Sequence, residues 1–452
     1  MRIKGLNGQL SRSSAAQYVI GALILACAGA VAHSREIEME AGLSTPVVKA
    51  GAPRTAYVKV RLRGFDIEPG ERPPVNVAIV LDKSGSMAGE KIDRAKDAAI
   101  MVLDRLNPRD VVSVIAYDTT VSVLVPATKV SDRETITDAI RRLRAGGNTA
   151  LFAGVSKGAA EVRKFLDKER VNRVVLLSDG LANVGPSAPE NLGELGASLF
   201  RSGITVTTIG LGLDYNEDLM VLLARRSNGS HLFAAEAGDL AKKFSLEFGD
   251  VLTAVAQDAT AALDCASGVR PVRVLGREGT VEGQRVTVDF GQLFSNQDKY
   301  VIVEIELPAR AAGEEINVGE VTSRCLNLIS RKTERHKDRL AARYSDSDDE
   351  VDRHTDANVM VSVVRQIGAE RNEAARVLRD QGKIEEARRT LSENIPWYVD
   401  NATRFKSEQL RVDGLETMKD LDHLDDGAWR ERRKVMVEYQ NAQQLQSLGY
   451  VE

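Results

Sequence analysis

Cysteine is nearly missing from this sequence, with three residues in a chain of 452, and none of them forms a Cys-x-x-Cys pair. That spacing marks zinc and thiol-redox sites, so its absence argues against both classes. Also missing are His-Glu-x-x-His, a Gly-x-Ser-x-Gly turn and a phosphate loop ending in Gly-Lys and a hydroxyl. With them go the sequence marks of zinc peptidases, α/β serine hydrolases and P-loop nucleotide hydrolases. Histidines are few, and His231, His336, His354 and His423 fall in unrelated segments, as surface or satisfied core residues do. Basic charge is not in excess: 61 Lys and Arg stand against 65 Asp and Glu, a formal net charge of −4. There is no electrostatic case for nucleic acid. Nor does any apolar run approach the ~20 residues that span a bilayer as a helix.

The longest apolar stretch, "YVIGALILACAGAV" from Tyr18 to Val31, follows Arg2, Lys4 and Arg12 and runs into the small residues Ala30 to Ala32. Basic, apolar and small in that order reads as a secretory leader over residues 1–32, which predicts a periplasmic or secreted protein. A lipid anchor at Cys27 is the competing reading, which Ile24 and Leu25 fit poorly as a lipobox. Loss of the leader removes three basic and no acidic residues and moves the formal charge to −7. Cys265 and Cys325 then remain, in one β-rich segment. Export would permit them to pair, and the alternative is two buried small apolar residues.

Along residues 33–72, "TAYVKVRLRGF" alternates as a half-buried strand should. From Pro73 the pattern changes. "VNVAIVLD" is followed by "EKIDRAKDAAIMVLDRLN", in which Ile92, Ala95, Ala99, Val102, Leu103 and Leu106 share one helical face. "DVVSVIAYD" and "TVSVLVP" read as strands, and "NRVVLLSDG", "ITVTTIGLG" and "SHLFAA" follow as strands between amphipathic helices. The last helix expected is "GDLAKKFSLEFGDVLTAVA". Apolar strands alternating with such helices predict a doubly wound, mostly parallel α/β sheet over residues 73–257. Beyond it, "RVTVDFGQL" and "KYVIVEIELPA" look antiparallel. Residues 258–344 and 33–72 are therefore expected to build one β-sandwich into which the α/β unit is inserted. The acidic run at 345–354 reads as a solvated linker, since it lacks the ligand spacing and Gly of a calcium loop. Residues 355–452 read as helical, with a hairpin turning at Gly382 that is similar to one tetratricopeptide unit but has no second copy. Trp397 and Trp429 are expected as core anchors of this tail.

In a doubly wound sheet, ligands sit outside the carboxyl ends of the strands. This chain concentrates oxygens there. "VAIVLDKSGSM" ends its strand in Asp82, Ser84 and Ser86, whose alternate spacing in a tight loop lets the three side chains face one point. Asp179 ends "NRVVLLSDG", and Thr149 follows the glycines of "AGGNTALFAG". Two carboxylates and three hydroxyls without His or Cys suit Mg²⁺, Mn²⁺ or Ca²⁺, Mg²⁺ first, rather than zinc or copper. So few charges leave room for an outside ligand, and a carboxylate of another protein is the natural one. The plain alternative is helix capping by Ser84, Ser86 and Asp179.

"VAIVLDKSGSM", "GGNTAL" and "VVLLSDG" resemble the three pieces of the metal-ion-dependent adhesion site of von Willebrand factor type A domains. The resemblance covers residues 73–257 and implies a metal site on top of a Rossmann-like sheet, carried over here onto Asp82, Ser84, Ser86, Thr149 and Asp179. With a leader and β flanks, the chain is similar to bacterial exported members, some named calcium-activated chloride channel homologues, and to inter-alpha-trypsin inhibitor heavy chains. The channel label carries no weight without a membrane-spanning segment. In related domains ligand binding shifts the last α/β helix, which implies a junction near Ala256 able to pull on the rest of the chain.

Three functions compete at this point. The first is a non-enzymatic module that binds an acidic side chain of a partner protein through its metal. The second is a scaffold whose metal stabilises the fold and whose C-terminal helices are the interaction surface. The third, a metal-assisted enzyme, needs a general base, and Asp118 and Asp214 are the acids available to it.

Overall fold

A computed structural model describes residues 35–446 apart from 69 and 426. The leader expected over residues 1–32, with Cys27, lies outside the described residues. The chain begins with β1 (Glu38–Leu43), β2 (Val47–Lys49) and β3 (Arg54–Arg63). The α/β unit follows: β4 (Val75–Asp82), α1 (Glu90–Arg105), β5 (Val111–Tyr117), β6 (Val121–Lys129), α2 (Arg133–Arg141), α3 (Leu151–Arg163), β7 (Val171–Ser178), α4 (Pro189–Arg201), β8 (Thr205–Leu211), α5 (Glu217–Arg226), β9 (His231–Ala234) and α6 (Leu240–Leu252). Its six strands lie in the order β6-β5-β4-β7-β8-β9, parallel throughout except for β5 with β6.

Every residue of β4, β5, β7 and β8 is buried, because helices cover both faces of a parallel sheet. Alternation divides the two faces. Val77, Ile79 and Leu81 pack with Ile92, Val102, Ile136 and Phe248 of α1, α2 and α6. Ala78 and Val80 pack with Val155, Leu199 and Leu223 of α3, α4 and α5. Since β5 lies on one side of β4 and β7 on the other, strand order reverses at β4, and a crevice opens between the carboxyl ends of β4 and β7.

The flanking strands are β10 (Ala254–Cys265), β11 (Arg270–Leu275), β12 (Gly279–Glu282), β13 (Arg285–Phe294), β14 (Asp298–Leu307), β15 (Glu315–Asn327) and β16 (Thr333–Ser345). They form two sheets with the strands that precede the α/β unit, β1-β3-β14-β11 and β12-β13-β10-β15-β16-β2. Val58, Val60 and Leu62 of β3 share a core with Phe290 of β13, Val321 of β15 and Tyr344 of β16. The α/β unit is thus inserted into a β-sandwich between β3 and β10.

One alternative is decided and two local expectations are corrected. Cys265 and Cys325 are free and buried. The register of β10 with β15 sets Cys265 opposite Gly319, six residues from Cys325. At the strand rise that is about 20 Å, far beyond disulfide reach. Burial pushes the thiol of Cys265 up to about 11 and that of Cys325 up to about 12. The last α/β helix stops at Leu252, and Ala254 and Ala256, expected in it, are strand residues paired with Phe294 and Leu293. Ladder pairing overrides the helical pattern there. The acidic linker contains a helix, α7 (Asp348–Arg353), capped by Ser347 and with Asp348, Asp349 and Glu350 in its first turn, where the helix dipole favours acids. Glu350 is bonded to both Arg343 and Ser345.

The tail comprises α8 (Ala357–Asp380), α9 (Ile384–Phe405), α10 (Glu408–Asp422) and α11 (Trp429–Leu445). Gly382, at φ +78°, makes the turn between α8 and α9. Val359 and Val363 of α8 pack on Tyr300 and Ile302 of the four-stranded sheet. α11 lies along the edge strand β9, where Glu438 accepts from Phe233 N at 3.0 Å and so satisfies an edge donor. Trp429 is buried in the helical core, and Trp397 donates to Val364 O at 3.2 Å. No helix among the described residues is long and apolar enough to cross a membrane.

Candidate metal centre

β4 delivers Asp82 to the crevice, and the chain then turns sharply. Ser84 N donates to Asp82 Oδ1 at 2.8 Å, and a single 3-10 turn, Gly85–Met87, leads to α1. Buried Met87 anchors this turn from below. Two backbone bonds fasten it to the glycine loop, Gly85 N to Gly147 O at 2.9 Å and Gly146 N to Lys83 O at 2.7 Å. Thr149 is held by Asn183, whose Oδ1 accepts from Thr149 N at 2.8 Å.

The five oxygen-bearing residues expected from the sequence lie together. Ser84 Oγ and Ser86 Oγ are 3.1 Å apart, Ser86 Oγ donates to Asp179 Oδ1 at 2.7 Å, and Ser178 Oγ donates to Asp82 Oδ2 at 2.6 Å. Thr149 joins them across Gly180. A methyl group on that glycine would stand 3.2 Å from Thr149 Oγ1, 3.3 Å from Ser86 Oγ and 3.9 Å from Ser84 Oγ. Three hydroxyls therefore face one spot over two fully buried carboxylates, and Ser86 opens it to solvent. Burial lifts the Asp82 carboxyl above its ordinary range and the Asp179 charge adds to this, while bonds from Ser178 and Ser84 oppose it.

None of these side chains caps a helix. α1, α3 and α4 start from Gly89, Ala150 and Ala188, and Ser84 makes no side-chain cap bond to the 3-10 turn. The capping alternative therefore fails. Among the described residues no group of three or more His, Cys, Asp or Glu is placed to hold a metal ion. Two carboxylates with hydroxyls are the donor set, which fits a hard cation that keeps water or takes an outside oxygen.

Two residues of the centre escaped the sequence reading. Asn183 is one. The other is Lys91, whose Nζ donates to Asp179 Oδ2 at 2.6 Å; a cation in the first turn of a helix was the signal available. Neither acid nominated as a base is free. Asp118 pairs with Lys83 and accepts from Thr120. Burial works upward on its pKa, but these bonds hold it below the usual range. Asp214 is an exposed partner of Arg430.

Residues 76–246 match the family "von Willebrand factor type A domain", over the sheet and helices just described. The chain carries a von Willebrand factor type A (vWA) domain. An uncharacterized protein of Synechocystis sp. is 29% identical over 310 residues, 66% of this chain and 72% of that one. The vWA region is also similar to human inter-alpha-trypsin inhibitor heavy chain H3, 30% identical over 165 residues; the match covers 34% of this chain but only 18% of the heavy chain. A solved vWA protein from Catenulispora acidiphila superposes with a TM-score of 0.66 at 17% identity, covering 84% of this chain and 90% of its own. At that identity the likeness concerns the fold, which extends past the vWA domain into the sandwich and helices.

Proposed function

We propose that this chain is an exported, non-enzymatic binding protein whose vWA domain holds a divalent cation, Mg²⁺ first, to capture an Asp or Glu side chain of a partner protein. The observation that carries this reading is the convergence of the Ser84, Ser86 and Thr149 hydroxyls beside Gly180, above the buried Asp82 and Asp179. A cation held by these five residues would supply a Lewis-acidic position for the carboxylate. The chain's own groups prepare it: Ser178 and Ser84 N orient Asp82, Ser86 orients Asp179, and Asn183 fixes Thr149. Turnover has no support, since Asp118 and Asp214 are engaged in ion pairs. Export rests on residues 1–32. The test is calorimetric titration of Mg²⁺, Mn²⁺ and Ca²⁺ into metal-stripped wild type and Asp82→Ala. Saturable binding that a folded Asp82→Ala loses supports the reading; no binding by wild type rejects it.

One observation favours the scaffold reading. α10 buries Asp413, Thr417 and Asp420 and exposes Val412, Leu415 and Met418, the last two at 44%. If this face is the interaction surface, Leu415→Asp with Met418→Asp abolishes partner binding in a folded protein, while Asp82→Ala lowers binding only as far as it lowers stability.

A further inference from the structure

Lys91 breaks a local rule. It is the second residue of α1, in a first turn that also holds Glu90 and Asp93. Unpaired N–H groups and the helix dipole favour acids at that end and disfavour an ammonium. The side chain nevertheless reaches Asp179 Oδ2 at 2.6 Å; the carboxylate is fully buried and the lysine keeps 32% of its side chain in solvent. On the other side, a methyl group on Gly212 would lie 3.9 Å from Nζ. The ammonium therefore stands at the mouth of the centre, between the end of β7 and the loop after β8. Functional or strained sites are where such departures from local preference are expected.

Charge shows what the position does. Asp82 and Asp179 bring two negative charges, Lys83 and Asp118 cancel each other, and the other donors are neutral hydroxyls. Counting Lys91, the centre has one net negative charge, so a divalent cation leaves one net positive charge. We infer that Lys91 is the specificity-determining residue that makes the loaded site select a carboxylate over a neutral oxygen ligand, an inference that rests on the metal-dependent reading. Lys91 occupies one oxygen of Asp179 and repels the bare cation. An incoming carboxylate relieves that repulsion and gains a second positive neighbour, and only with all three is the centre neutral.

The experiment uses the full metal-stripped chain as wild type, Lys91→Met and Lys91→Arg, each checked by circular dichroism. Mn²⁺ is titrated alone by calorimetry. N-acetyl-Gly-Asp-Gly-amide and its Asn counterpart are then titrated into Mn²⁺-loaded protein and followed by water-proton relaxation. A unit charge a few ångströms from a cation near a protein surface is worth about a factor of ten or more. Lys91→Met should therefore bind Mn²⁺ about tenfold tighter and lose about tenfold of the preference for the Asp over the Asn peptide. Lys91→Arg should keep both wild-type values. A lysine with only a structural role would weaken both together. Lys91→Met binding Mn²⁺ no tighter, or keeping the full Asp preference, overturns the inference. Wild type that binds no Mn²⁺ overturns the metal reading itself, and this is seen before any variant is compared.

Discussion

Asp82 in the vWA crevice and Asp413 in the helical tail are equally hidden, at 0% and 1% exposed, yet their surroundings differ. Asp413 receives the Arg365 guanidinium at 2.8 Å, Tyr439 Oη at 2.5 Å and Gln443 Nε2 at 2.8 Å. Nearby, Asp420 and Glu416 share Arg432, and Glu217 of the vWA domain meets Arg433 and Lys434 of α11. Buried charge in the tail is neutralised by opposite charges of the tail itself or of the vWA domain. In the crevice, Asp82 accepts from Ser84 N and Ser178 Oγ, and Asp179 from Ser86 Oγ and Lys91, so two buried carboxylates have one lysine between them. Burying a carboxylate is costly unless it is paired. The tail's acids therefore serve the fold, whereas those of the crevice are under-compensated, which is what the proposed cation would relieve.

The contrast is sharpest if one partner is removed from the tail. Arg365→Met leaves Asp413 buried without its cation and should cost about 3–5 kcal/mol in chemical denaturation. A loss below about 1 kcal/mol would break the comparison. A third treatment of buried charge is His231, kept neutral between Thr208 Oγ1 at 2.9 Å and Tyr215 Oη at 3.2 Å. Burial first, then Lys434 and Lys243, pushes its pKa down to about 3. Between about pH 6.5 and about 3 the unfolded chain binds a proton that the folded chain does not, so stability falls as pH falls through that window. The loss should reach about 2 kcal/mol at pH 5, and His231→Gln should flatten that part of the pH profile.

In the crevice the expected effects concern binding more than stability. Gly180→Ala places a methyl group among the Thr149, Ser86 and Ser84 hydroxyls and should weaken Mg²⁺ binding about tenfold or more by calorimetry, with the melting curve little changed. Smallest of all, Asp82→Asn in metal-free protein should alter stability by less than about 1 kcal/mol, because it removes a buried charge and keeps an acceptor for Ser84 N. A loss as large as that of Arg365→Met would mean that the crevice acids are structural too.

Much of this architecture is written in local pattern. β4, β7 and β8 are short runs of apolar and β-branched residues, each followed by an amphipathic helix, and only a sheet covered on both faces buries such runs. Asp82, Ser84 and Ser86 were legible because alternate spacing at a strand end brings side chains to one point. Asp179 required the added premise that strand ends of a doubly wound sheet are neighbours, and Thr149 that the glycine loop before α3 meets them. Lys91 and Asn183 were not legible, since each acts on a residue distant in the chain, and sequence spacing carries no information about which loops meet. The same reason explains the cysteines: two residues in one β-rich segment can be partners or far apart according to register alone.

By itself, then, the sequence determined the alternation of elements, the insertion of an α/β unit between β-rich flanks, and the oxygen character of its crevice. These follow from periodicity and side-chain chemistry, which act over a few residues. The tertiary structure decided the rest: that Cys265 and Cys325 stay apart, that α10 turns its acids inward to meet Arg365 and Arg432, and that an ammonium stands beside Asp179. Each depends on contacts between segments remote in the chain, where packing and charge compensation outweigh local preference.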